Sequence, residues 1–155
     1  MTRVGLVTLM VVVLRTLDSS AQTPRTSKPA AATSLTCSFA VVATGDWRDE
    51  QAHAEVKTAK LAVAFDAIDP DDGTAESKGT PGPKHIVVRL SGGNLHFLHV
   101  GSEGPIYVTT VFNQATPAGK LKAVHSRHEY TRVSLPGFTS RPEQYYGDCE
   151  VLASR

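Results

Sequence analysis

The sequence lacks the motifs that would assign an enzymatic activity directly. Its 155 residues contain no Gly-x-Ser-x-Gly elbow, no His-Glu-x-x-His pair, no phosphate-binding Gly-rich loop and no Rossmann fingerprint. Serines, histidines and aspartates are present, but no spacing singles out a catalytic triad. We therefore predict no catalytic residues and no cofactor, and we favour a non-catalytic protein.

Cysteine is scarce, because the chain has only Cys37 and Cys149 and no Cys-x-x-Cys motif. A redox role would need a resolving thiol close by, which a distant pair does not supply. Two cysteines in an exported protein usually pair with each other. We predict a Cys37–Cys149 disulfide that ties the first and last strands of the domain together.

Only one long apolar run is present, at residues 4–14, and Arg15 ends it. A membrane-spanning helix needs roughly 20 apolar residues, so this run is too short to span. Arg3 before the run and the small residues 19–21 after it are typical of a secretory signal peptide. We predict a cleaved signal peptide at 1–21 and export to the periplasm or the extracellular space.

The chain that would remain after cleavage has no excess of charge. Residues 1–21 hold two arginines and one aspartate, so the 16 basic and 15 acidic residues of the whole chain become 14 and 14. Nucleic-acid-binding domains show a basic stripe or a high pI, and this composition shows neither. No second apolar run of spanning length follows, so we expect no nucleic-acid partner and no membrane span in the mature form.

The rest of the chain predicts one β domain. Pro, Thr, Ser and Ala dominate residues 22–34, which predicts a flexible leader. Residues 35–155 contain short alternating apolar runs separated by Gly, Pro and Asp turns. The pattern predicts an all-β fold, an antiparallel meander barrel or sandwich of about seven or eight short strands. The polar segment 47–57 fits either one short helix or a polar strand.

Alternation in the first and last predicted strands places each cysteine on an apolar face that we expect to point inward. These faces comprise Leu35, Phe39 and Val41 beside Cys37, and Tyr145, Gly147 and Val151 beside Cys149. The two strands would then lie side by side or across a thin core, as in a closed barrel or a sandwich.

The densest polar run of the domain, residues 125–130, lies inside a segment with strand character. His125 and Arg127 share one face of that strand, and His128 and Tyr130 share the other. A barrel interior lined by Arg, His and Tyr would form a polar ligand pocket. The alternative is an exposed sheet face with cross-strand pairs.

The loop at residues 134–144 is long for a hairpin connection, and aromatic residues lie in it and beside it. Long loops with aromatics often form binding sites, although they also cap open barrel ends. The predicted ligand-binding site comprises His125, Arg127, His128, Tyr130, Phe138, Tyr145 and Tyr146.

Two alternatives to a ligand-binding or interaction module remain open. The first is a metal-binding protein or metalloenzyme that uses histidines of adjacent strands, for example His99 with His125 and a carboxylate. His96 and His99 point to opposite faces of a strand, so we assign no metal ligands. The second is a structural component of the envelope or secretome. A small molecule or a protein partner is compatible with the leading hypothesis.

Overall fold

A computed structural model describes residues 28–78, 84–101, 105–128 and 142–152. Within these ranges eight antiparallel strands form a closed barrel, in which each strand pairs with the next and the last pairs with the first. The strands are β1 Leu35–Arg48, β2 Gln51–Asp69, β3 Thr74–Lys78, β4 Lys84–Ser91, β5 Asn94–Val100, β6 Ile106–Ala115, β7 Leu121–His128 and β8 Pro142–Val151. The predicted all-β meander is confirmed, and it takes the barrel form. The predicted signal peptide lies outside the described residues.

Alternate residues of each strand fill the barrel interior, as the twofold period of a strand dictates. Phe65 of β2 and Phe97 of β5 stack across the core with ring centroids 4.0 Å apart. Leu35, Val88 and Leu95 are completely buried around them. Each such side chain stabilises the fold by about 1.5–3 kcal/mol relative to an exposed one.

The predicted disulfide is confirmed, and it lies at the seam of the barrel. Cys37 of β1 is directly opposite Cys149 of β8, and the two form the disulfide. Both residues are fully buried, as is Leu35, and Tyr145 is nearly so. Val151, which we also expected to point inward, is 40% exposed because it ends β8. A buried disulfide is compatible with folding in an oxidising compartment.

A β-bulge in β1 reverses which residues after Phe39 point into the barrel. The register of β1 shifts between Phe39 and Val41 against both of its neighbours. Val42 is therefore buried and Val41 is exposed, which corrects the prediction that Val41 points inward. Gly147 of β8 lies opposite Phe39, and a Cβ on it would collide with the carbonyl of Ser38. The bulge thus brings the two backbones too close for any residue but glycine.

A short 3-10 helix, Lys28–Ala31, packs against β5 and β6 at one end of the barrel. Pro29 and Ala32 are buried there, and the amide of Ile68 donates a hydrogen bond to the carbonyl of Thr33. Residues 28–34, which composition predicted as part of a flexible leader, thus cover this end. In the ranges that the structure describes, no helix is long and apolar enough to cross a membrane.

The segment 47–57 forms strand, so the short helix that its composition allowed is absent there. β1 continues to Arg48, β2 begins at Gln51, and the two residues between them make the turn. Asp49 and Glu50 both have positive φ, at 47° and 61°. This is the conformation of a tight hairpin turn whose twist matches that of the strands.

Candidate functional site

A cavity of about 350 Å³ opens at the end of the barrel opposite the 3-10 helix. Its walls lie where β3, β5 and β7 end and where β4 and β6 begin. The lining residues are Leu61, Ala62, Val63, Phe65, Ser77, Lys78, Lys84, Ile86, Phe97, His99, Tyr107, His125 and Arg127. The volume lies within the range of cavities that hold small ligands, about 300–1,000 Å³.

The floor of the cavity is apolar. Phe65 and Phe97 form its base as a stacked pair, and Ile86 of β4 lies beside them in the lining. Leu61 and Val63 of β2 continue this surface toward the mouth and pack against the buried core. The floor can therefore take up an aliphatic or aromatic group from a ligand.

His125 lies deep in the wall, surrounded by aromatic rings. It is 6% exposed, and its Nδ1 is 2.8 Å from the buried hydroxyl oxygen of Thr109 on β6. The ring centroids of Phe39, Tyr107 and Tyr145 lie 5.7, 6.3 and 6.0 Å from that of His125. The imidazole is thus held in one orientation by a hydrogen bond and by packing.

Both histidines of the wall have lowered pKa values. Burial, and then the nearby charge of Arg127, lower the pKa of His125 to about 4. Burial and then Lys84 also lower the pKa of His99, whose ring stacks on Tyr107 at 5.4 Å. At neutral pH His125 is therefore an uncharged imidazole that can hydrogen-bond a ligand without adding charge.

Arg127 belongs to a small network with two residues of β8. Glu143 lies directly opposite Arg127, and its Oε2 is 3.8 Å from the Arg127 Nε. The hydroxyl of Tyr145 donates to the same Oε2 at 2.6 Å and lies 3.5 Å from the Arg127 Nη1. Burial, and then the hydrogen bond to Glu143, raise the pKa of Tyr145. The network holds the guanidinium in place against the wall.

Positive charge dominates the described lining of the cavity. Lys78, Lys84 and Arg127 line it, whereas no aspartate or glutamate does so among the described residues. Lys78 forms an ion pair with Asp66, and their hydrogen bond raises the pKa of Lys78 and lowers that of Asp66. Lys84 is exposed at the start of β4. Clefts with one sign of charge concentrate ligands of the opposite sign.

The structure brings together three of the residues that the sequence predicted for the site. His125 and Arg127 line the cavity, and Tyr145 of the neighbouring strand β8 contacts both of them. His128 and Tyr146 are exposed on the outer surface, because each follows an inward-facing residue by one position. They are therefore not in the cavity. The predicted residues Tyr130 and Phe138 lie outside the described residues.

The predicted ligand-binding site does not include the wall residues that come from the other strands, although the metal-binding alternative considers His99 with His125 as a metal ligand. Phe97 and His99 of β5, Tyr107 of β6 and Lys84 of β4 all line the cavity. Phe97 and His99 are two positions apart in β5, so the alternation of a strand places them on one face. The missing information was which strand ends meet at the same mouth, and that depends on the closure of the barrel.

The metal-binding alternative requires a cluster of metal-ligating side chains. His99 and His125 lie on either side of Tyr107, both facing the cavity. No group of three or more His, Cys, Asp or Glu residues that could hold a metal ion occurs among the described residues. Both histidines line the cavity as polar aromatic side chains.

Two further depressions offer less specific chemistry. One of about 570 Å³ lies beside the seam and includes Lys120, Leu121 and Glu150. The other, of about 560 Å³, lies over the bulge and includes Lys60 and Asp148. Neither has a histidine or an arginine among its described lining residues. The cavity at the open end is therefore the candidate site.

The fold and this site define the described part of the chain as an eight-stranded antiparallel barrel, with the 3-10 helix over one end and a cavity with cationic lining residues at the other. No known protein-family model matches the chain, and no curated protein or solved structure is similar enough to match it.

Proposed function

We propose that this protein is an exported, non-catalytic module that binds a small organic anion in the cavity at the end of its barrel opposite the 3-10 helix. The observation that carries the proposal is the combination of an apolar floor with three cationic lining residues. A ligand would place its apolar body over Phe65 and Phe97 and its anionic group near Lys84 and Arg127.

The arrangement of His125 supports binding rather than catalysis. A histidine beside a hydroxyl is also the arrangement of a base and a nucleophile. Here the hydroxyl belongs to Thr109, which is 2% exposed and does not line the cavity. A substrate in the cavity would meet the imidazole, whereas the hydroxyl serves to orient the ring.

Preorganisation supports specific binding of a ligand in this cavity. Arg127 is positioned by Glu143 and Tyr145, and His125 is positioned by Thr109. Side chains that are already ordered lose less conformational entropy when a ligand binds. Hydrogen bonds to a charged group are also stronger than those between neutral groups, at about 1.5–3 kcal/mol.

Export is supported by two independent features of the chain. Residues 1–21 have the pattern of a signal peptide, and the disulfide Cys37–Cys149 is of the kind that persists in oxidising compartments. The location itself, periplasmic or extracellular, is part of the proposal.

Calorimetry with ligands that share a body and differ in charge tests the proposal. Naphthoate, naphthylmethanol and naphthylmethylammonium present one aromatic body, and decanoate presents an aliphatic one. We expect at least one of the two carboxylates to bind and, where naphthoate binds, we expect it to bind at least about tenfold more tightly than its neutral and cationic analogues. Failure of both carboxylates to bind, or equal binding of the cation, would contradict the proposal.

Matched variants locate the binding site. Arg127→Gln removes a lining charge, whereas Lys122→Gln removes an exposed charge from the outer face of the same strand. We expect the first variant to weaken carboxylate binding by about tenfold or more and the second to leave it unchanged. Equal affinities for both variants would place the ligand elsewhere.

A further inference from the structure

Among the described residues, the hairpin of β1 and β2 extends beyond the two strands that flank it, β8 and β3. β1 pairs with β8 only as far as Thr44, although it continues to Arg48. β2 pairs with β3 only between Ala64 and Asp69, although it begins at Gln51. Among the described residues, positions 51–63 of β2 therefore pair with β1 on one edge and have no strand on the other. Such an edge presents backbone donors and acceptors to any strand that can add to it.

Residues 51–58 of β2, the extension of the hairpin, are exposed on both faces, unlike the strands of the barrel wall. Ala59, Leu61 and Val63 point toward the core, so the odd-numbered positions continue the inner face. In the extension that face carries Glu55 and Lys57, which form an ion pair with each other along the strand, with 2.8 Å between Lys57 Nζ and Glu55 Oε2. The even-numbered positions carry small and apolar residues that are all exposed: Ala52, Ala54, Val56 and Thr58. Val56 is 70% exposed, the largest value among the exposed large hydrophobic residues described.

Two copies of this edge can pair so that charged residues of one copy face residues of opposite charge in the other. Two copies of one strand that pair antiparallel are related by a twofold axis perpendicular to the sheet, so facing residues lie on the same face. Odd-numbered positions can then face only odd-numbered ones. A register centred on Val56 places Glu55 of each copy opposite Lys57 of the other, and Val56 opposite Val56. Lys60 is on the other face and cannot meet Glu55.

We infer that this protein forms a twofold dimer in which the edge of β2 that no described strand covers pairs antiparallel with the same edge of a second copy, in the register centred on Val56. The pairing joins the two sheets and brings the exposed Val56 side chains together. Unlike charges face each other on the opposite surface. Residues 61–63 belong both to this edge and to the cavity lining, whereas Glu55, Val56 and Lys57 at the centre of the register do not line the cavity.

Sedimentation equilibrium on the mature chain tests this inference with a charge swap. Glu55→Lys places two lysines opposite each other, and Lys57→Glu places two glutamates opposite each other. We expect each single variant to weaken dimerisation by about tenfold or more, since like charges directly opposite are destabilising. The double variant Glu55→Lys with Lys57→Glu restores unlike pairs and should restore dimerisation.

Asp72→Lys is the matched control, because it reverses an exposed charge in the β2–β3 turn at the covered end of the barrel. Its dimerisation should equal that of the wild type. Circular dichroism and an intact disulfide would establish that all variants are folded. A wild-type chain that stays monomeric across micromolar concentrations would overturn the inference. A double variant as weak as the single ones would overturn the register and with it the proposed interface.

Discussion

Protonation of His125 should destabilise the barrel below neutral pH. The side chain is 6% exposed, its Nδ1 is 2.8 Å from the Thr109 hydroxyl, and Arg127 lies two residues away on the same wall. Burial and then the charge of Arg127 lower its pKa from 6.5 to about 4. Between these two pKa values His125 is therefore neutral in the folded chain and protonated in the unfolded chain.

The sign and size of the effect follow from the two pKa values. Between 6.5 and about 4 the unfolded state binds more protons than the folded state, so stability falls as the pH falls. The contribution of the neutral imidazole is fully present above the unfolded pKa and is lost as the pH reaches the folded one. One pKa unit corresponds to 1.36 kcal/mol, so the total loss is about 3 kcal/mol, of which about 2 kcal/mol is lost by about pH 5.

Urea unfolding of the wild type and of His125→Gln between about pH 7 and about pH 5 measures this contribution. Glutamine can still hydrogen-bond Thr109, but it does not titrate. Protonation of carboxylates with lowered pKa values, such as Asp66, also destabilises the protein in acid. Because the wild type and the variant share these carboxylates, the difference between the two proteins excludes their effect. We expect the wild type to lose about 2 kcal/mol more than the variant over this range. Parallel pH profiles for the two proteins would refute the reasoning.

Two further predictions concern the seam between β1 and β8. Reduction of the disulfide between Cys37 and Cys149 should lower the free energy of unfolding by about 2–5 kcal/mol, measured by urea unfolding with and without reductant; a change below about 1 kcal/mol would contradict a stabilising role. Gly147→Ala should destabilise the barrel by at least about 2 kcal/mol, because the new Cβ would collide with the Ser38 carbonyl. Gly45→Ala is its control, since the nearest atom to a Cβ there is a carbonyl oxygen at 3.8 Å; equal losses in the two variants would show that close backbone approach is not the cause.

The alternation of apolar residues predicted the strands well but not the bulge. Leu35, Cys37 and Phe39 are inward as predicted, and the face then changes between Phe39 and Val41. Val41 and Val42 are identical residues, so hydrophobicity could not indicate which of them points inward. A bulge is set by backbone packing against the neighbouring strands, which a local pattern does not contain.

Residues 47–57 show how tertiary context overrides local preference. Alanine, glutamate and glutamine favour a helix there, yet the hairpin of β1 and β2 extends through the segment. Its turn uses Asp49 and Glu50 at positive φ instead of the Asn-Gly or Gly-Gly pairs that indicate a tight hairpin. The leader is a similar case, because Pro29 and Ala32 are buried only once a barrel end exists for them to cover.

The candidate site was predictable only where it lies within one strand. The sequence placed His125 and Arg127 on one face, and both line the cavity. Phe97, His99 and Tyr107 come from β5 and β6, and only the closed order of the strands brings them to the same mouth. A pattern along one segment specifies a face, whereas a cavity requires the register of all the strands around it.

The most direct test of the proposed ligand site is a native mass spectrum of the protein purified from its own host, followed by a denaturing spectrum of the same sample. We predict a native mass, of a monomer or of a dimer, that exceeds the mass of its bare chains by one small molecule per chain, which denaturation releases and which is detected as a negative ion. The denatured chain should begin at Gln22 and should be lighter by two hydrogens for the disulfide. A native mass equal to that of one bare chain or of two bare chains, together with no uptake of naphthoate or decanoate, would contradict the account.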